Sequence, residues 1–433
     1  VPFIRYTTLG FDMNTSITIN SDRDRLIAEF HRVRAFSETL CLPLQQDDYQ
    51  IQSIVQTSPP KWHIAHVSWF FEAFVLPCFN PAYKPYHPLF DYIFNSYYYT
   101  HGMMHPRPKR GLLSRPTVED VYQYRAHVNQ QMHRLMESVA EKDWGDLAFR
   151  VILGLNHEEQ HQELLLMDVK HNFWSNPLKP SYRDDLKSPF GDAREIGWVE
   201  QPGGVYNIGH GLEDGFAYDN ETPRHEVLLP DYRIADRLVT NGEYLAFIDD
   251  AGYSDPALWL SDGWALLQRE GWQHPLYWEP RNGEWLQFTL GGLTELNPHE
   301  PVCHISYYEA DAYARWAGKR LPLESELEIV LGQQPVKGNF VDADHLHPLP
   351  AGEAGQWYGD LWTWTASPYA AYPGFKPLAG SMGEYNGKFM SNQMVLKGGC
   401  CATPVGHARA SYRNFFYPDE RWAFTGLRLA EDT

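Results

Sequence analysis

The segment Asn156-His157-Glu158-Glu159-Gln160-His161-Gln162-Glu163 places two imidazoles four residues apart. In a helix, positions i and i+4 share a face about one turn apart, a spacing that suits chelation of a single metal ion. That face continues through Gly154 behind and Leu164, Leu165 and Asp168 ahead, so it is expected to point into a helical bundle. Two buried imidazoles need polar partners, and a metal satisfies both at once. The plainer alternative is a pair of hydrogen-bonded core or surface histidines. His157-Glu158-x-x-His161 also matches the zinc-peptidase pattern, in which Glu158 would be the general base. Against that reading, the helix is the last of a bundle and no candidate edge strand precedes it.

A third nitrogen is on offer in Trp62-His63-Ile64-Ala65-His66-Val67. His66 falls on the stripe Trp62, Ala65, His66, Trp69, Ala73, whereas His63 lies beside Val67, Phe70 and Phe74. Periodicity leaves both open. Three histidines without a thiolate or carboxylate leave coordination positions free, which suits iron(II) oxygen chemistry or a hydrolytic zinc.

The elements that must carry these residues are helical. Arg23 to Leu40 has helical apolar spacing through Leu26, Phe30, Val33 and Leu40. Ser58-Pro59-Pro60 opens a second helix to about Leu76, because proline is tolerated in a first turn. Thr117-Val118-Glu119-Asp120 resembles a capping box and starts a third to about Ala140; the fourth is expected from about Asp146 to Asn172. Together they predict a four-helix bundle. The connection from Pro77 to Pro116 is long and rich in Pro, Tyr and His, which marks it as functional. Pro177, Pro180 and Pro189 signal a linker, beyond which the chain turns to short β-like runs with many Gly and Trp. The expected division is an N-terminal tail over 1–20, a bundle with the metal site over 21–175, a linker over 176–200 and a second domain over 201–433.

Composition bounds the partners. The 433 residues are 43% hydrophobic and 21% charged, a globular balance suited to two or three domains of about 150 residues. A net charge of −19 argues against nucleic acid and anionic membrane as partners. The longest apolar runs, such as Leu164-Leu165-Leu166-Met167, fall far short of the roughly 18 residues a span needs. Val1 to Asp12 lacks a basic flank followed by an apolar core, and Met13 is an alternative start. Five cysteines, odd in number and without a C-x-x-C pair, fit a reduced, cytoplasmic protein. Aromatic residues at 15% suit either a core or a pocket with aromatic walls.

The second half carries Gly203-Gly204-Val205-Tyr206-Asn207-Ile208-Gly209, Asp219-Asn220-Glu221-Thr222-Pro223-Arg224-His225 and Val239-Thr240-Asn241-Gly242-Glu243-Tyr244. Further on stand Ser306-Tyr307-Tyr308-Glu309-Ala310, Trp316-Ala317-Gly318-Lys319-Arg320-Leu321-Pro322, Gly359-Asp360-Leu361-Trp362-Thr363-Trp364-Thr365 and Gly426-Leu427-Arg428-Leu429-Ala430. In this order they resemble the formylglycine-generating-enzyme/sulfatase-modifying-factor domain, a C-type-lectin-like fold. The copper oxidases of that family use a cysteine pair that adjacent Cys400 and Cys401 do not reproduce, so copper chemistry is not expected. A DinB-like bundle with a three-histidine site fused ahead of this domain resembles the iron-dependent sulfoxide synthases of ergothioneine biosynthesis. The fold class implied is α+β, a DinB-like four-helix bundle followed by the C-type-lectin-like domain.

That resemblance also implies a chemistry. The family's helix-two ligand matches His66, and its histidine pair matches His157 and His161, which together would hold Fe(II). Such enzymes use O2 to join a thiol sulfur to the imidazole C2 of Nα-trimethylhistidine (hercynine), leaving a sulfoxide. Arg107 and Arg110 match the arginines that bind the thiol substrate's carboxylate; Gln160 and Asn414 match residues that contact the other substrate, with Phe415 and Phe416 as candidate walls for its quaternary ammonium. Tyr97 and Tyr98 match paired tyrosines that face the metal in one branch and would donate a proton; Tyr385, alone in 380–390, is not expected to do so. Phe416 stands where another branch has an acidic residue for a γ-glutamyl ammonium, which favours cysteine over γ-glutamylcysteine as thiol. The competing readings are a histidine-C5 synthase of the ovothiol type, whose extra methyltransferase domain does not follow Thr433, a zinc hydrolase, and a lectin-like binding module.

Overall fold

The computed structural model describes residues 22–186, 191–211 and 214–433. The expected tail over 1–20 and Pro189 of the expected linker lie outside the described residues.

Among the described residues, six helices form the first half. α1 (Arg23–Cys41) starts at Asp22, whose side chain accepts the Asp24 N–H, and it buries Leu26, Phe30, Val33 and Leu40. α2 (Pro60–Phe74) opens with proline and is buried along nearly its whole length. Two short helices, α3 (Leu76–Phe79) and α4 (Phe90–Phe94), and a 3-10 turn over Arg107–Leu112 order the long connection. α5 (Val118–Ser138) begins with the reciprocal Thr117/Asp120 capping box. α6 (Glu141–Ser175) runs 35 residues, longer at both ends than its sequence pattern suggests. Its start lies at Glu141 because Glu141 and Asp143, not Asp146, supply the acidic first turn. No described helix is long and apolar enough to cross a membrane.

Close approach of α2 and α6 depends on Gly154. A Cβ there would lie 2.6 Å from the Phe71 ring and 3.0 Å from that of Phe70. The missing side chain lets the helices pack tightly one turn before His157.

The second half is a patchwork of small sheets and short helices, among them Asn241–Asp249, Ser261–Glu270, Tyr307–Trp316 and Glu324–Gly332, tied together by loops. The sheet nearest the bundle orders Asn414–Phe416, Met394–Lys397, Trp362–Pro368 and Thr425–Gly426, with only the last pairing parallel. Its edge strand carries Asn414, Phe415 and Phe416, paired with Leu396, Val395 and Met394 respectively. One apolar core continues from the bundle into this domain, including Phe71 and Leu166 on one side and Trp362, Trp364 and Phe424 on the other. Polar contacts cross the same boundary from α6. Glu163 accepts from Trp362 Nε1 at 2.7 Å, and Asp168 accepts from Trp422 Nε1 at 2.9 Å. α6 is therefore both the last helix of the bundle and the floor on which the second domain rests.

Candidate metal centre and substrate cavity

His66 on α2 and His157 and His161 on α6 each present a nitrogen, and these atoms lie within 4.8 Å of one another. His66 Nδ1 donates to the Phe94 carbonyl at 2.6 Å, which leaves the Nε2 lone pair free. That Nε2 and both nitrogens of His157 are buried without a hydrogen-bond partner among the described residues. His161 Nδ1 lies 2.8 Å from His63 Nδ1, and His63 Nε2 lies 2.9 Å from Asp168. A carboxylate can only accept, so Asp168 fixes the His63 proton on Nε2, and His63 Nδ1 then accepts from His161 Nδ1–H. His161 Nε2 is thereby left with its lone pair. This chain distinguishes the two α2 histidines: His63 orients a neighbouring imidazole, and His66 presents a free nitrogen.

Burial keeps all three imidazoles neutral, the form that coordinates metal. Burial and then the His157 charge push His66 well below its ordinary value, and burial with the other histidines does the same to His161. His157 falls to about 3 because burial outweighs the favourable charge of Glu158. His66 is further held between Trp62 and Trp69, at ring separations of 4.5 and 5.4 Å. Orphaned, neutral, converging nitrogens are what a divalent metal would fill, so the residues present fit an iron(II) or zinc ion.

Glu158 points away from this cluster. Its carboxylate accepts from Ser37 Oγ and Arg125 Nη2 at 2.6 Å each and from Arg34 Nη1 at 2.7 Å. Burial opposes its ionisation, but the charges of Arg125 and Arg34 prevail and hold it at about 2. A zinc-peptidase base must reach the metal-bound water. Glu158 instead locks α1, α5 and α6 together, and the peptidase reading loses its base.

Above the histidines opens a cavity of about 230 Å³, walled by both domains. Of the sequence-predicted residues, Tyr97, Arg107, Arg110, Gln160, Asn414, Phe415 and Phe416 all line it, as do His157 and His161. Arg110 is buried, donates to Ser58 Oγ and Ser96 Oγ at 3.0 Å each, and lies 3.4 Å over the Trp62 ring. It forms no ion pair among the described residues, and burial followed by the Arg107 charge pushes its pKa down. Such a guanidinium gains from an incoming anion. Arg107 is exposed at the rim, anchored by the Gln56 carbonyl.

Gln160 is held at both ends, its Nε2 donating to the Tyr412 hydroxyl at 2.5 Å and its Oε1 accepting from the Tyr385 hydroxyl. Tyr385, the tyrosine of 380–390 that is not expected to donate a proton, lies beside the metal cluster, its ring 5.5 Å from that of His157. Phe415 stacks on Tyr369 at 4.1 Å and Phe416 meets Trp422 edge-on at 5.2 Å. Tyr97 and Tyr98 have ring centres 4.7 Å apart. Tyr97 borders the cavity, while Tyr98 lies fully buried on Trp69 and Phe74, its hydroxyl without a hydrogen-bond partner among the described residues. Burial raises both phenols, so each keeps its proton at neutral pH. Glu420 and Tyr412 also line the cavity and escape a reading by local pattern.

Residues 29–165 match the DinB superfamily, and residues 194–358 and 353–433 match the sulfatase-modifying factor enzyme 1-like domain. The hercynine oxygenase of Mycolicibacterium smegmatis is 33% identical over 407 residues, covering 87% of this chain and 91% of that one. The hercynine oxygenase of Mycolicibacterium thermoresistibile is likewise 33% identical, over 87% of each chain. Among solved structures, PvdO from Pseudomonas aeruginosa aligns with 55% of this chain and 94% of its own, at 19% identity and a TM-score of 0.39.

Proposed function

Because this chain belongs to the hercynine oxygenase family, we propose that it is an iron(II) enzyme joining the sulfur of cysteine to the imidazole C2 of Nα-trimethylhistidine. The reaction consumes O2 and leaves a sulfoxide, as ergothioneine biosynthesis requires. The observation that carries this reading is the convergence of nitrogens from three neutral imidazoles, two of which line a cavity that also holds a buried arginine without an ion pair among the described residues. Iron held by His66, His157 and His161 would supply oxygen activation and a position for the thiolate.

The chain's own residues then have separable tasks. Arg110, fixed by Ser58, Ser96 and the Trp62 face, takes the thiol substrate's carboxylate, with Arg107 at the rim. Gln160, its amide orientation set by Tyr385 and Tyr412, faces the imidazole of the second substrate. Asn414, Phe415 and Phe416 flank that substrate, and aromatic faces suit a quaternary ammonium that has no N–H to donate. Tyr97 or Tyr98, each protonated at neutral pH, is the proton source.

The test is anaerobic reconstitution with iron(II), then oxygen uptake with cysteine, with and without trimethylhistidine, and the mass of the product. A sulfoxide adduct that forms only with both substrates is expected. Uptake without an adduct, or activity with zinc alone, overturns the reading.

A further inference from the structure

Three carboxylates line the cavity, and two of them are spoken for. Glu163 accepts from Trp362 Nε1 at 2.7 Å with one oxygen and from Thr403 Oγ1 at 2.5 Å with the other. Asp168 accepts from Trp422 Nε1 with Oδ1 and from Ser58 N–H and His63 with Oδ2. Glu420 differs. Its Oε2 accepts the Tyr417 N–H at 3.1 Å, and its Oε1 takes no hydrogen bond from a described residue. It shares the cavity with Arg107 and Arg110, and the Arg107 charge reaches it.

Two guanidinium groups and one carboxyl group with a free oxygen, all lining one cavity, describe a receptor for a zwitterion. A guanidinium binds a carboxylate, and a carboxylate with a free oxygen binds a primary ammonium carried on the same carbon. We propose that Glu420 receives the α-ammonium of the thiol substrate, so that Arg107, Arg110 and Glu420 together select a free α-amino-acid thiol. The inference rests on the reaction proposed above and adds the feature by which the thiol is chosen. In γ-glutamylcysteine the cysteinyl nitrogen is a neutral amide and cannot form this ion pair. The quaternary ammonium of the other substrate has no N–H to donate, and the aromatic faces of Phe415 and Phe416 answer it instead. Burial pushes the Glu420 carboxyl up to about 8, against the pull of Arg107. The side chain is therefore poorly compensated without ligand, and an arriving ammonium restores its charge.

The experiment uses the iron(II)-reconstituted full chain and compares Glu420→Gln with the unaltered enzyme. Three thiols are offered at saturating trimethylhistidine: cysteine, 3-mercaptopropionate, which lacks the ammonium, and γ-glutamylcysteine. For cysteine, kcat/KM is expected to fall about tenfold to a hundredfold, chiefly through KM, the range for losing a charged hydrogen-bond partner. For 3-mercaptopropionate it is expected to stay unchanged, and the KM for trimethylhistidine is expected not to move. Equal losses for cysteine and 3-mercaptopropionate, a rise confined to trimethylhistidine, or no loss at all each overturn the proposal. So does an unaltered enzyme that prefers γ-glutamylcysteine to cysteine. If that enzyme forms no sulfoxide from any thiol, it is the underlying reaction that fails. Glu420→Asp, which keeps the charge, should recover part of the cysteine selectivity, which separates recognition from a folding defect.

Discussion

Tyr98 buries its hydroxyl in the core without a hydrogen-bond partner among the described residues, a placement that costs stability. Removing that oxygen as Tyr98→Phe should leave the melting temperature level or raise it. The same change, or Tyr97→Phe, is expected to divert oxygen from sulfoxide formation to oxidation of the thiol alone. Product partition by mass spectrometry checks this; unchanged partition in both single variants and the double removes the proton-donor role. Glu158 answers to a different test. Its folded pKa of about 2 lies below the ordinary 4.5, so its contribution is complete above about 4.5 and is lost as pH falls toward 2. Glu158→Ala leaves Arg34 and Arg125 buried without this partner and is expected to cost about 3–5 kcal/mol in denaturant titration at pH 7. The histidine spacing was legible in the sequence because i and i+4 is a local relation. Glu420 was not, since no local pattern marks it, and only the tertiary fold brings it within reach of the Arg107 charge.

At the scale of the element, the centre depends on how closely two helices approach. Gly154→Ala drives a methyl group into the Phe71 ring and must spread α2 from α6 near His157. Overpacking of this kind costs roughly 1–3 kcal/mol. The sharper expectation is weaker metal binding, because His66 sits on one helix and its two companions on the other. Competition with a chelator reads that loss, and unaltered affinity would mean that the helices adjust without moving the imidazoles. The four long helices could be read from capping and period: Thr117 with Asp120, Pro60 in a first turn, and the stripe from Leu26 to Leu40. The order within 77–116 could not, because α3, α4 and the turn at Arg107 are too short for a periodic signal and form against the bundle. In the second domain the motifs mark turns and tryptophans, whereas the pairing of Asn414–Phe416 with Met394–Lys397 is a long-range relation.

For the whole molecule, the cavity exists only where the two domains meet, since α6 supplies its floor and the strand Asn414–Phe416 one wall. The boundary is stitched by indoles of the second domain donating to carboxylates of the first. Trp422→Phe keeps an aromatic ring, though a smaller one, and deletes one such donor. Metal affinity is expected to fall by less than the roughly tenfold that loss of a direct outer partner of a ligating histidine costs, because Asp168 and His63 stand between Trp422 and His161. An unchanged dissociation constant would show that His63 is held well enough by Asp168 and its neighbours. The path runs from Trp422 to Asp168, to His63, to the proton on His161. Docking of one domain is thus transmitted to a single tautomer in the other. A metal held by His161 would sense the docking of the second domain through that one proton, so assembly of the two domains would act as the safety catch on a reactive centre.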